Sequence, residues 1–241
     1  MVSNVIKLLR VFLLTASYAS RIKKLKKKEP ENIKRRIDRL KMEWAVASLK
    51  NLGVHFDVLG APVAWQPMLF VGNHISYLDI PLVMAVAPVS FVAKEELSRW
   101  PIIGEACRSV GTVFVKRESV ESRKGAVEKI GAACLKAQQS ICLFPSGTTT
   151  LTEQKPWKKG AFEVAKINSL KVQPFRINYS PLEIVAFVGE DSLVPHLWRL
   201  LNTQRVKAQI EFHEPVEIQN SEVACLEWQQ WSREKLSLKD H

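Results

Sequence analysis

With 241 residues, the chain is long enough for one sizeable core and of ordinary length for a single α/β domain. Its 46% hydrophobic and 24% charged residues make a globular composition and exclude a disordered chain. The formal charge of +11 is concentrated, because residues 1–50 hold 14 Lys and Arg against 4 Asp and Glu; the basic character belongs to an N-terminal arm. Cys107, Cys134, Cys142 and Cys225 show neither CxxC nor Cys/His spacing, so no metal site or disulfide framework is expected, and they read as small core residues in a reducing compartment.

Residues 1–20 (MVSNVIKLLRVFLLTASYAS) are mostly apolar, but Lys7 and Arg10 interrupt them, and the uncharged run Val11–Ser20 is too short to cross a bilayer as a helix. The outline is that of a secretory signal, yet the dense positive charge of RIKKLKKKEPENIKRRIDRLK behind it would resist export. A helix lying in the membrane interface fits better. Lys7 and Arg10, three residues apart, share a face, while Val5, Leu8, Leu9, Phe12 and Leu13 point into lipid. The cluster Arg21–Lys28 adds attraction to anionic head groups, about 1 kcal/mol per basic residue near the surface. A solvated charged helix and a nucleic-acid-binding arm are the other readings. No nucleic acid is expected, because the cluster lacks interleaved aromatics and no nucleic-acid module follows it. The expectation is a basic, amphipathic, helical membrane-binding arm over residues 1–52 and an α/β domain over 53–241.

Pro30 and its charged neighbours predict a break, after which Ile33–Leu52 has helical spacing with Ile37, Leu40, Trp44, Ala47 and Leu49 as candidate buried positions; Gly53 stops it. Short apolar, β-branched runs then alternate with helical patterns. Strands are predicted at Val54–Leu59, Met68–Val71, Ser90–Ala93, Thr112–Val115, Ser140–Phe144, Val172–Asn178, Leu182–Val188 and Arg205–Phe212, and helices at Tyr77–Val86, Ser122–Ala137, Gly160–Asn168, Leu193–Leu201 and Glu222–Leu236. This alternation predicts an α/β fold with a central, mostly parallel or mixed sheet flanked by helices. In such sheets ligands gather at the carboxyl ends of strands. Three polar clusters each follow a predicted strand and can converge on one pocket.

The first is GNHISYLD at 72–79. Ser76, three residues before Asp79 and ahead of Ile80, Leu82, Val83 and Met84, is a capping-box signature in which each side chain satisfies a helix N–H. That leaves His74 unexplained. If His74 leaves the strand end and Asp79 opens the helix, the carboxylate meets one ring nitrogen and the other faces the pocket, the arrangement a general base for a hydroxyl needs; a satisfied strand-end histidine is the plainer alternative. The second is GTVFVKR at 111–117, where the pleat puts Lys116 and Arg117 on opposite faces. Arg117, with its planar fork, is the candidate for a phosphate or carboxylate, against a surface pair at an edge strand. The third is LFPSGTTT at 143–150: Pro145 and Gly147 mark a tight turn, and Ser146, Thr148 and Thr149 offer hydroxyls and backbone N–H groups to an oxyanion or phosphate, against a plain turn. It has neither the lysine of a P-loop nor a G-x-S-x-G pattern, so Ser146 is not a nucleophile.

In order and character these clusters resemble the blocks of the lysophospholipid acyltransferase superfamily, of the bacterial 1-acyl-glycerol-3-phosphate acyltransferase type. NHISYLD is similar to the first block, N-H-x-S-x-x-D; KEELSRWPIIGEACRSVGTVFVKRES (94–119) resembles the second; FPSGTTT stands where the family usually has F-P-E-G-T-R; and WKKGAFEVAKINSLKVQPFRI (157–177) resembles the stretch leading to the fourth. The resemblance runs from about residue 40 to 215. It departs at Ser146 and Thr149, which replace a glutamate and an arginine of a block associated with the acyl acceptor, and at Phe175-Arg176 after Pro174.

The resemblance implies transfer of a fatty acyl group from acyl-CoA or acyl-carrier protein to a hydroxyl of a lysolipid, lysophosphatidate-like or of another kind such as lyso-ornithine lipid. His74 would act as base, Asp79 as its orienting group, and Arg117 with Ser146–Thr148 as the acceptor's holder. No cofactor and no acyl-enzyme are implied. The place of action would be the cytoplasmic face of the inner membrane, reached through the arm. A non-catalytic lipid-binding protein on the same fold is the alternative.

Overall fold

The computed structural model describes residues 2–28, 32–63, 66–116, 120–151, 153, 155–203 and 205–236. A single sheet is built from β1 (Val54–Leu59), β2 (Leu69–Gly72), β3 (Val89–Lys94), β4 (Val113–Val115), β5 (Ser140–Leu143), β6 (Val172–Ser180) and β7 (Val206–Phe212), in the order β1-β7-β6-β2-β5-β3-β4. From β6 through β2, β5 and β3 to β4 all neighbours are parallel. β7 runs antiparallel to β6 and carries β1 parallel to itself. The sheet is therefore mixed.

Helices cover both faces, as apolar runs such as LFVG of β2, buried at every position, require. The pleat separates two cores. Phe70 of β2 and Phe175, Ile177 and Tyr179 of β6 face one of them, shared with α2 (Ile33–Asn51), α3 (Asp79–Val86) and α8 (Leu193–Leu201). Leu69 and Val71 face the other, filled from α5 (Val120–Leu135), α6 (Gly160–Ile167) and α9 (Ser221–Leu236). Two short helices, α4 (Ile103–Ser109) and α7 (Leu182–Val185), and a 3-10 turn at Glu95–Arg99 complete the described elements.

α7 corrects one expectation: Leu182–Val188 is a single helical turn followed by extended chain, not a strand. Both edges of β6 are already taken by β2 and β7, so an apolar run leaving β6 finds no free edge there. It buries Val185 and Ala186 in the core instead. α4 lies inside a stretch for which no helix was predicted.

The arm is one helix, α1 (Val2–Lys28), laid along the domain. Its inner side buries Ala19 and Ile22 and packs Leu8 and Val11 on the core. Asn4 Nδ2 donates to Asn202 Oδ1 (2.7 Å), Asn51 Nδ2 to the Lys7 carbonyl (2.9 Å), Trp44 Nε1 to Thr15 Oγ1 (3.2 Å) and Lys26 Nζ to the Ser109 carbonyl (2.9 Å). Lys23 pairs with Glu105 at 3.0 Å. Val5, Ile6, Leu9 and Leu13 face outward. Leu8 thus turns inward rather than toward lipid, and Lys7 is half-buried. No described helix is long and apolar enough to cross a membrane. The break expected at Pro30 lies outside the described residues.

In α2 the fully buried positions are Lys41, Ala45, Ser48 and Leu49. Of the expected set only Leu49 is among them; Trp44 is turned toward α1, as its bond to Thr15 shows. Lys41 reaches Ser90 Oγ of β3 at 3.0 Å and Asp38 Oδ1 at 3.4 Å. Burial pulls this ammonium below the usual lysine range, and Asp38 opposes the shift.

Candidate active site

The site forms where β2 and β5 end side by side, with Val71 opposite Leu143. Gly72 allows it: a Cβ there would lie 2.4 Å from the Phe175 carbonyl oxygen and 2.6 Å from its ring, so only glycine lets β6 come this near. Asn73 then extends the ladder with its side chain, donating to the Ile177 carbonyl at 2.8 Å and accepting the Ile177 N–H at 2.7 Å. This buried residue locks the loop onto β6.

His74 follows, its Nδ1 2.6 Å from Asp79 Oδ2 and its side chain 18% exposed. Asp79, the first residue of α3, is fully buried. Oδ2 also accepts the N–H groups of Ile75 (2.7 Å) and Ser76 (3.0 Å), while Oδ1 accepts the Tyr179 hydroxyl (2.8 Å). Every other neighbour of the carboxylate is a donor, so Nδ1 carries the hydrogen in that pair, and in the neutral ring Nε2 is the nitrogen with the lone pair. Among the described residues Nε2 has no hydrogen-bond partner. The imidazole lies flat against Phe144, centroids 4.0 Å apart and planes 8° apart, which leaves the ring little room to turn.

Half of the expected capping box is present. Asp79 reaches back to the Ser76 N–H, but Ser76 Oγ is buried without a partner, and the Asp79 N–H takes the Ser76 backbone oxygen at 3.1 Å. The helix begins at Asp79, two residues later than expected, because Tyr77 and Leu78 form a turn. Tyr77 caps that turn from outside by bonding His196 Nδ1 of α8 at 2.9 Å.

After β5 the turn closes with the Gly147 N–H on the Phe144 carbonyl (3.0 Å), Gly147 holding φ +72°. Ser146 is buried and its hydroxyl donates to the Thr148 carbonyl at 2.7 Å. The Thr149 hydroxyl donates to the Phe187 carbonyl, and the Thr150 N–H reaches the His74 carbonyl at 2.8 Å. Ser146 and Gly147 therefore shape the turn, and Thr148 is its exposed member.

Two of the three expected strand ends meet. The third is apart: β5 and β3 separate β2 from β4, about 14 Å of sheet. Lys116, just past β4, pairs with Glu95 at 3.5 Å. Arg117 lies outside the described residues. Arg176 of the loose fourth block is turned to the other face, against Glu211 (2.9 Å) and over the Trp231 ring (4.1 Å). Among the described residues no group of three or more His, Cys, Asp or Glu could hold a metal ion.

Tyr179 was not foreseen, since it lies 100 residues from Asp79 and reads locally as a strand residue. Burial and the adjacent carboxylate push its phenol well up, so it is a donor throughout the working pH range. Tyr179→Phe should leave Oδ1 of Asp79 short of a donor. The expected result is a loss of about 1–2 kcal/mol of stability and a several-fold lower kcat with unchanged acceptor KM, checked by thermal melts and initial rates.

A histidine and a buried acid are thus joined at a parallel strand end, with the second ring nitrogen open. Residues 27–178 match the family model described as Acyltransferase, and the chain belongs to that family. A lyso-ornithine lipid O-acyltransferase of Pseudomonas aeruginosa is 35% identical over 178 residues, covering 72% of this chain and 68% of that protein. One from Rhizobium meliloti is 32% identical over 196 residues, covering 74% and 67%. A 1-acyl-sn-glycerol-3-phosphate acyltransferase of Neisseria meningitidis is 30% identical over 188 residues, covering 73% and 71%. The crystal structure of the 1-acyl-sn-glycerophosphate (LPA) acyltransferase PlsC of Thermotoga maritima superposes with a TM-score of 0.68 at 19% identity over 98% of this chain and 100% of that one, which shows the same fold.

Proposed function

We propose that the protein moves a fatty acyl group from a thioester, acyl-CoA or acyl-carrier protein, to a hydroxyl of a lysolipid, with His74 as general base. The 2.6 Å contact of His74 with Asp79 carries this reading. Nε2 takes the hydroxyl proton as the oxygen attacks the thioester carbonyl, and Asp79 stabilises the imidazolium. The tetrahedral intermediate then expels the thiolate, which recovers the proton from the ring. Donor and acceptor exchange the acyl group directly, and no cofactor takes part.

The turn supports one acceptor class over another. Ser146 and Thr149 are neutral and donate to backbone carbonyls, so the turn supplies neither the carboxylate nor the guanidinium usual in the family. This supports an acceptor without a phosphate monoester, and lyso-ornithine lipid, named for two of the relatives above, has that chemistry. The test supplies purified protein with labelled acyl-CoA and acyl-carrier protein against lyso-ornithine lipid and lysophosphatidate. Faster turnover of lyso-ornithine lipid is expected. Preference for lysophosphatidate would reverse the acceptor assignment, and binding of either without turnover would make the protein a lipid carrier.

The outward Val5, Ile6, Leu9 and Leu13 of α1, followed by its basic C-terminal half, support seating on an anionic membrane surface, at the cytoplasmic face of the inner membrane. Leu9→Asp with Leu13→Asp should weaken co-sedimentation with anionic vesicles on the order of tenfold or more, given about 1.5–3 kcal/mol for each buried leucine. Both side chains are exposed in the folded protein, so the melting temperature should not move. Undiminished vesicle binding would refute the seating.

A further inference from the structure

Asp79 holds the His74 ring, but the His74 peptide is held from elsewhere. Its carbonyl accepts the Thr150 N–H at 2.8 Å, and its own N–H faces the carboxylate of Glu153 and favours the charged form. Glu153 is 1% exposed. Trp157 Nε1 meets its Oε2 at 2.6 Å and Thr150 Oγ1 its Oε1 at 3.3 Å. Burial pushes the carboxyl up, while these donors and the Arg233 charge oppose the shift. The Glu153 carbonyl is clamped by α9, accepting from Arg233 Nε at 3.0 Å and Gln229 Nε2 at 3.3 Å. Gln229 also bonds the Lys155 carbonyl (2.9 Å) and the Trp157 N–H (3.1 Å).

The backbone at Glu153 has φ +42°, a left-handed conformation that suits glycine and costs other residues about 1–2 kcal/mol. A glutamate stands there nonetheless, and its carboxylate joins three elements: the His74 loop, the turn after β5, and the segment that α9 fixes. A shift of the His74 peptide would carry Nε2 with it even if Nδ1 kept its contact with Asp79. The Thr150 N–H bond to the His74 carbonyl opposes that shift directly, and Glu153 backs it by holding the Thr150 hydroxyl and facing the His74 N–H.

We infer that Glu153 is a positioning residue for acyl transfer: it fixes the His74 peptide, and so the place of Nε2, from the far side of the turn. This rests on the reading of His74 as the base. Glu153→Gln keeps the size but turns an amide donor toward one of three donors. Glu153→Gly removes the carboxylate and relaxes the backbone. Both are expected to lower kcat about tenfold to a hundredfold, the scale of a misplaced reacting group, with acceptor KM unchanged and with faster hydrogen exchange at the His74 and Thr150 amides. Wild-type kcat in either folded variant, a raised KM at unchanged kcat, or unaltered exchange at those amides would overturn the assignment. If neither variant folds, the wild-type protein decides: a His74 amide exchanging as fast as an exposed loop overturns it, and a protected one upholds it. His74→Ala in the same assay keeps the two readings apart, since full activity there removes the base while the exchange result still reports on Glu153.

Discussion

His74→Ala is expected to lower acyl transfer by about 10³-fold, within the range for loss of a positioned base. The acceptor hydroxyl would have to lose its proton to water, while binding of donor and acceptor continues. The fall should therefore be in kcat, with KM for the lysolipid little changed. The substitution gives up the stack on Phe144 and leaves the backbone bonds of residue 74 intact, so the melting temperature should drop by only a few degrees. Initial rates beside a thermal melt decide the matter. A folded variant retaining a tenth or more of wild-type kcat would remove His74 from the chemistry.

Asp79→Asn should be nearly as damaging for a different reason. With its amide oxygen in place of Oδ2, asparagine can still accept from His74, Ile75 and Ser76, and its amide group can donate to the Tyr179 oxygen. The hydrogen-bond count almost survives, but the negative charge beside the imidazole does not. The imidazolium that the proposed mechanism forms as Nε2 accepts the proton is then uncompensated on the side where it meets the fully buried residue 79. If the amide flips, the ring is driven to the wrong tautomer. A loss of about 10³- to 10⁴-fold in kcat is expected by analogy with the aspartate of a serine-protease triad, with about 1–3 kcal/mol of stability lost. In the double variant with His74→Ala the kinetic losses should not add, because the carboxylate acts through the ring. Additive losses would show that Asp79 serves the reaction by another route.

Much of this was legible locally. The apolar runs of β2 and β5 announce buried parallel strands, and the polar residues crowded behind each run announce the site. The pairing of His74 with Asp79 spans five residues, a distance at which loop geometry is constrained. What was not legible depends on contacts distant in sequence. Tyr179 reaches Asp79 only because β6 lies beside β2. Whether Leu182–Val188 became a strand depended on which sheet edges were free, and composition does not encode that. The buried face of α2 was misjudged because α1 covers one side and the sheet another, so half-buried and buried stripes sit next to each other. Ser146 and Thr149 look like ligands in the sequence, yet their hydroxyls are occupied by carbonyls that only the folded turn brings near.

The placement of α1 has a practical consequence. Its own Ala19 and Ile22 are buried against the domain, and its Leu8 and Val11 pack on the same apolar interior that backs the histidine. A version trimmed of its first 28 residues, made for easier handling, would open an oily trench along the second and eighth helices and should precipitate rather than swim free. A test of the proposed membrane seating therefore calls for repainting the outer stripe of the helix, not cutting it away.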